Sequence, residues 1–165
     1  MNREGIAVQV RIGDIRDWPF VYALSREVIP VSISPWRKQP LEKTMAYREQ
    51  LMKGYWAWIQ KTGSVIFIAE DHDAQGRLQR IGYLILNPSA REELTGLTQG
   101  WIMDVAVLPE WRGRGAGRAL LHAAEKYCRE RRIEYLGLAV SSHNTRALKV
   151  YQKHGFIEER KLMVK

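Results

Sequence analysis

A single cysteine, Cys128, stands among 165 residues. One thiol excludes an internal disulfide framework and any zinc site built on several thiolates. No run of about 18 apolar residues occurs, which excludes a membrane-spanning helix. Met1 to Gly5 leads into no apolar stretch long enough for a secretory signal. A cytoplasmic protein is the expectation. Internal repeats, proline-rich linkers and low-complexity blocks are also missing, so residues 1–165 read as one domain. A domain of this length buries about 70% of its unfolded surface and needs no staples. Acid is in short supply: 18 Asp+Glu face 26 Lys+Arg, a formal net charge of +8. That excess suits a nucleic-acid partner, an anionic small ligand or mere solubility, and the position of the charges must decide.

What is present is periodicity. Ala7 to Ile12 alternates apolar and polar residues like a half-buried strand. From Asp14 to Glu27, Trp18, Val21 and Tyr22 recur at helical spacing toward Val28, and a loop with Pro30, Pro35 and Pro40 then carries Trp36. Leu41 to Gln60 predicts one helix, interrupted only by Gly54 and holding Tyr55, Trp56 and Trp58. Ser64 to Ala69 is a buried strand, Asp71 to Gln79 a hairpin loop, and Arg80 to Leu86 the returning strand. After a polar loop through Asn87, Pro88 and Gly96, a third strand runs from Trp101 to Val107. Helix (Gly115–Arg131), strand (Tyr135–Val140), helix (Asn144–His154) and strand (Phe156–Val164) complete the chain. The order β-α-α-β-β-β-α-β-α-β describes an α/β sandwich with a mixed sheet, not a strictly alternating doubly wound fold.

The charge question is decided between Val105 and Leu121. A strand ends, a turn rich in glycine and arginine follows, and an Ala/Leu-rich helix begins. The first turn of a helix has unpaired N–H groups and a partial positive charge, so it attracts phosphate. Gly113, Gly115 and Gly117 let backbone approach an anion, and Arg112, Arg114 and Arg118 add forked donors suited to phosphate oxygens. No Lys-Ser or Lys-Thr follows the glycines, so this is no P-loop. Arg118 stands where the dinucleotide pattern wants its last glycine. The pattern that fits is Arg112-x-x-Gly115-x-Gly117. On the next helix Asn144, Ala147 and Tyr151 fall on one face, and Gly155-Phe156 closes the segment.

Together these two stretches resemble the signatures of the GNAT superfamily of N-acetyltransferases, namely the pyrophosphate-binding turn and N-x-x-[AS]-x-x-x-Y-x-x-x-G-F. The resemblance covers roughly Ser64 to Met163, and the first 60 residues in element order only. It implies a mixed, mostly antiparallel splayed sheet of six to seven strands flanked by about four helices. Residues 1–60 would form the acceptor-side helices and 64–164 the acetyl-coenzyme A (acetyl-CoA) core. It implies an acyltransferase with acetyl-CoA as co-substrate, an amine as acceptor and no metal. Val105, Ala106 and Val107 would run along the pantetheine arm, one N–H bonding the thioester carbonyl. Gly113, Arg114, Gly115, Ala116, Gly117 and Arg118, with Arg112, would hold the pyrophosphate, and Asn144 would bind further along the cofactor. Tyr151 would protonate the leaving thiolate, a role suited to a phenol with a pKa near 10. Similar proteins are frequently homodimers; neither nucleic acid nor membrane is an expected partner.

Several residues keep two readings. Asn144 also suits a simple N-cap, and Tyr151 a core tyrosine. Asp104 is either the base that takes the amine proton, directly or through water, or a carboxylate hydrogen-bonded within the sheet. Some N-terminal protein acetyltransferases of the superfamily use a glutamate on the following strand, where this chain has Ala139. The four histidines show no metal-ligand spacing and suit surface or capping roles. Trp36, Arg37, Tyr47, Tyr55, Trp56 and Trp58 either hold an amine acceptor or pack helices on the sheet. A cofactor-binding sensor without catalysis and a basic nucleic-acid-binding domain are the alternatives to an enzyme. The richest charge run, Arg129-Glu130-Arg131-Arg132, is of mixed sign and closes a helix, where cations complement the dipole.

Overall fold

In a computed structural model the described residues are 8–165; Ala7 of the first expected strand lies outside them. The alternation at the N-terminus yields β1 (Gln9–Ile12), which pairs antiparallel with β2 (Val65–His72), Gln9 opposite Glu70 and Ile12 opposite Phe67. β3 (Leu78–Arg91) and β4 (Thr98–Val107) extend the antiparallel ladder, and β5 (Leu136–Leu138) joins β4 in parallel. One five-stranded sheet results, in the order β1-β2-β3-β4-β5. The helices are α1 (Trp18–Ser32), α2 (Leu41–Lys53), α3 (Tyr55–Thr62), α4 (Ala116–Glu130) and α5 (Thr145–Lys153). Among the described residues none is long and apolar enough to cross a membrane.

Among the described residues, five strands and five helices correct the expected six to seven and four, and each difference has a physical cause. Phe156 to Val164 forms no strand. Phe156 packs on the core, but Arg160 is drawn to Glu92 and Glu93 beside the β3–β4 turn, and Ile157, Leu162 and Met163 face solvent. β5 is only three residues long, shorter than the expected Tyr135–Val140, so little edge is on offer for a further strand. The expected helix over 41–60 breaks at Gly54, a poor helix former, and restarts as α3 with its aromatics aimed at the sheet. α1 instead runs past Pro30: only one bond is lost near the helix end, and buried Ile29 still receives the Ile33 N–H. β3 runs beyond Leu86 through irregular register between Asn87 and Ala90, where Pro88 has no N–H to donate.

The sheet separates two apolar clusters. Leu120, Leu121, Ala124 and Cys128 of α4 cover Phe67, Leu84, Leu86 and Ile102 on one face. Val21 and Leu24 of α1 and Ile59 of α3 cover Ile66, Ile68, Tyr83 and Ile85 on the other, as period-two alternation along β2 and β3 requires. At the β1 end, Asp17 is 1% exposed yet fully engaged. Both its oxygens take Arg11 at 2.8 Å, Arg80 Nε donates at 2.6 Å, and the Asp14 N–H donates at 2.9 Å. Arg11 also reaches Glu70, so one cluster ties β1, the turn before α1, β2 and β3.

The feature that matters for ligands is at the opposite side. β5 accompanies β4 only at Gly100, Trp101 and Ile102. β4 continues to Val107 with β3 beside it and, among the described residues, no strand on its other flank.

Candidate active site

The free flank of β4 presents unpaired main chain. The Leu108 N–H bonds the Ile81 carbonyl, and antiparallel alternation then turns the Asp104 and Ala106 backbone toward β3 and that of Val105 and Val107 toward the gap. The Val107 carbonyl agrees, since it accepts from Arg112 Nε at 3.0 Å on that side. Of the three residues expected along pantetheine, Val105 and Val107 turn their backbone to the gap, the Val107 carbonyl already engaged by Arg112, while the backbone of Ala106 stays in the β3 ladder.

Past β4, a short 3-10 turn (Pro109–Trp111) leads into the glycines. Gly113 has φ 78° and Gly115 φ 94°, left-handed values that favour glycine. Gly115 is the N-cap of α4 and offers no side chain, so the first-turn N–H groups are left open to a ligand. The arginines divide. Arg112 spends its Nε on Val107, and the Arg114 guanidinium stacks 5.0 Å from the Trp111 ring centroid. Arg118, exposed on the first turn, has no side-chain partner among the described residues. Gly117 is the informative position. It lies within the helix, where alanine would be favoured, and a Cβ there would meet nothing within 4 Å. Nothing among the described residues requires glycine here, and the open space beside it would admit the close approach of an outside group. Gly117→Ala is expected to weaken acetyl-CoA binding about tenfold, with Tm unchanged or raised by up to about 3 °C. Calorimetric titration beside a melting curve checks both; unaltered affinity would remove Gly117 from the site.

α5 supplies the other wall. The Asn144 oxygen accepts from the Ala147 N–H at 3.2 Å, so the residue is an N-cap, with only its NH2 group left for a ligand. Tyr151 is partly buried against the α4-side cluster, edge-on to Phe156 at 5.8 Å. Asp104 shares the opposite face of β4 with Ala106, i+2 along the strand. There the Tyr83 hydroxyl donates to Asp104 Oδ2 at 2.7 Å. Burial pushes the Asp104 carboxyl above its ordinary value, against the Tyr83 hydrogen bond, the Arg48 charge and the Val105 N–H. Burial and then the Asp104 charge push the Tyr151 phenol up, and by the same causes Tyr55 rises to about 12. A carboxylate and a phenol that feel one another across the splay have the proton inventory for acyl transfer to an amine.

Residues 30–156 match the acetyltransferase (GNAT) family. The chain belongs to that family. A mycothiol acetyltransferase from Rhodococcus opacus (strain B4) is 29% identical over 153 residues, which covers 93% of this chain and 46% of the relative. The chain spans less than half the length of the first curated relatives it matches. Among solved structures, a GCN5-related N-acetyltransferase from Ralstonia eutropha JMP134 superposes with TM-score 0.71 at 16% identity, over 96% of this chain and 98% of that one. Aminoglycoside N-acetyltransferase AAC(6')-Iy in complex with CoA gives 0.66 at 19% identity, over 100% and 97%. At such identities the likeness is one of fold.

With the GNAT fold in place, the remaining side chains sort themselves. Tyr55 stacks on Trp18 and Trp58 at 6.1 and 5.3 Å, and Trp56 meets Trp18 at 5.8 Å, so these rings pack α1 and α3 on the sheet. Trp36 stands apart, 61% exposed, in an open groove of about 560 Å³ with Arg37, Lys38 and Thr44. His143 approaches the Val31 carbonyl at 3.3 Å and Ser141 donates to Ser32 at 3.0 Å, tying the segment before α5 to the end of α1. Tyr83 went unnoticed in the sequence because it sits in an apolar strand. Its signal was there: a buried tyrosine needs a hydrogen-bond partner, and Asp104 is the only acid on the neighbouring strand β4.

Proposed function

We propose that this chain moves the acetyl group of acetyl-CoA to an amine by direct attack on the thioester. The observation that carries this reading is the continuous path from the unpaired flank of β4 to the uncapped N-terminus of α4. An extended acyl-pantetheine laid along the first would bring a pyrophosphate to the second, where N–H groups and Arg118 favour an anion. Val105, Gly113, Arg114, Gly115, Ala116, Gly117 and Arg118 are assigned to the co-substrate, with Arg112 and Asn144 in supporting positions.

The chemistry then follows from the flanking groups. The acceptor must be neutral, so Asp104 takes a proton from its ammonium form, directly or through water. The nitrogen lone pair attacks the thioester carbon, and the gap-facing Val105 N–H, shared with the Asp104 carboxylate, would receive the charge gathering on oxygen. The C–S bond breaks as Tyr151 protonates sulfur and the nitrogen sheds its remaining extra proton to water, releasing neutral amide and thiol; Tyr151 regains a proton and Asp104 loses one by exchange with water. The helices of the first 60 residues shape the acceptor side. Relatives and neighbours named for mycothiol and aminoglycosides direct the first assays toward small polar amines, with peptide N-termini as the contrasting set.

Acetyl-CoA at 100 times its Kd is expected to stabilise the fold by about 2.7 kcal/mol, several degrees in Tm. Thiol release should then appear with at least one member of an amine panel. No stabilisation by acetyl-CoA or CoA would sink the proposal, whereas stabilisation without turnover on any amine would leave a cofactor sensor.

A further inference from the structure

We infer that Tyr83 is a positioning residue for the proton-transfer step: from within the core it holds the Asp104 carboxylate as a charged acceptor. The inference rests on Asp104 being the base of the proposed reaction. Tyr83 is 0% exposed, in the stretch Ile81-Gly82-Tyr83-Leu84-Ile85, where phenylalanine would pack equally well. The hydroxyl is therefore the part of the side chain that packing leaves unexplained. In register, Ala106 lies opposite Tyr83 and Asp104 opposite Ile85, so the ring must cross the small Ala106 to reach a diagonal neighbour. Such neighbours sit about 7–8 Å apart at Cα, within reach of an aromatic side chain. The resulting 2.7 Å bond is a well-formed hydroxyl–carboxyl hydrogen bond.

Besides the Val105 N–H on its own strand, four side chains from four elements bear on Asp104. These are Tyr83 from β3, Arg48 from α2, Tyr55 from α3 and Tyr151 from α5. Tyr83 makes the side-chain hydrogen bond to it; Arg48 acts on it through its charge alone. Burial favours a neutral carboxyl, which could take no proton from an ammonium, and the Tyr83 bond works in the opposite direction. The Tyr83 phenol lies well above its ordinary range, through burial and then the Asp104 charge, so it remains a donor wherever the reaction runs.

The test is the pH dependence of kcat/KM, measured with saturating acetyl-CoA for the unaltered chain, Tyr83→Phe and Asp104→Asn. Tyr83→Phe should move the acid limb upward by about one pH unit, the size of a lost hydrogen bond to a charged group. Acetyl-CoA affinity should be unchanged. In the Asp104→Asn background the same substitution should cost nothing further. If Tyr83→Phe does not fold, 3,5-difluorotyrosine placed at position 83 is a nearly isosteric and stronger donor, and it should move the limb downward. Should Asp104→Asn keep the acid limb, the base is elsewhere and the assignment of Asp104 fails first. Should Asp104→Asn lose the limb while both changes at position 83 leave it in place, the role of Tyr83 alone is overturned.

Discussion

Tyr151→Phe is expected to lower kcat by about two orders of magnitude or more, with acetyl-CoA affinity changed less than about twofold. The substitution removes one oxygen and keeps the ring that meets Phe156 edge-on. Packing between α5 and the α4-side cluster therefore survives, and Tm should hold within about 2 °C. Under the proposed mechanism what is lost is the proton delivered to sulfur, so the C–S bond would have to break with bare thiolate as the leaving group. Because burial and the Asp104 charge raise the phenol, Tyr151 stays protonated through neutral pH. Any alkaline decline in kcat from its ionisation belongs above the ordinary phenol range. Stopped assays over an amine that turns over, paired with equilibrium binding of acetyl-CoA, separate the two quantities. Full turnover by the variant would strip Tyr151 of the role.

Asp17→Asn is expected to cost about 3 kcal/mol of stability, a fall in Tm of about 6–12 °C for a chain of this size. The carboxylate side chain is 2% exposed and receives two arginines and a backbone N–H. Its hydrogen bond to Arg11 is the largest influence, and the carboxyl is held far below the usual range. The sign follows from proton counting. As pH falls below the unfolded value near 4, the unfolded chain binds a proton that the folded chain still refuses, so stability drops with pH. Above that value the contribution is complete. The variant should thus melt earlier at neutral pH and lose less on acidification than the parent. Melting curves from pH 7 down to pH 3 test this; parallel curves for the two proteins would refute it.

Legibility followed the distance over which each feature is decided. The glycine turn and the α5 signature are local, and Gly113, Gly115, Asn144 and Gly155 all sit where their spacing put them. The family could be read from them because a phosphate-holding turn must place its glycines within a few residues. The passage of α1 through Pro30 turned on the tertiary burial of Ile29, which outweighs local propensity, whereas the helix break at Gly54 follows that propensity. The last expected strand failed for a remoter reason: a ladder needs an edge, and the length of β5 is not written in Phe156 to Val164. Arg112 has the spacing of a phosphate ligand, but that its Nε bonds the Val107 carbonyl, five residues back, shows only in the fold. Tyr83 is the opposite case, a residue whose chemistry appears only when two strands lie in register.

The bare flank of β4 has a consequence for how this chain can vary. Five residues from Met103 to Val107 extend about 17 Å, and whatever lies along them is read by amide and carbonyl groups that every residue except proline possesses. Recognition of the proposed co-substrate there would be carried by the main chain's path, not by the identity of Val105 or Val107, whose side chains answer to the α4-side cluster. Valine, isoleucine or leucine at those positions would serve a thread-like partner alike. The discriminating side chains must lie at its two ends, where the thread stops running parallel to the strand and the chemistry begins.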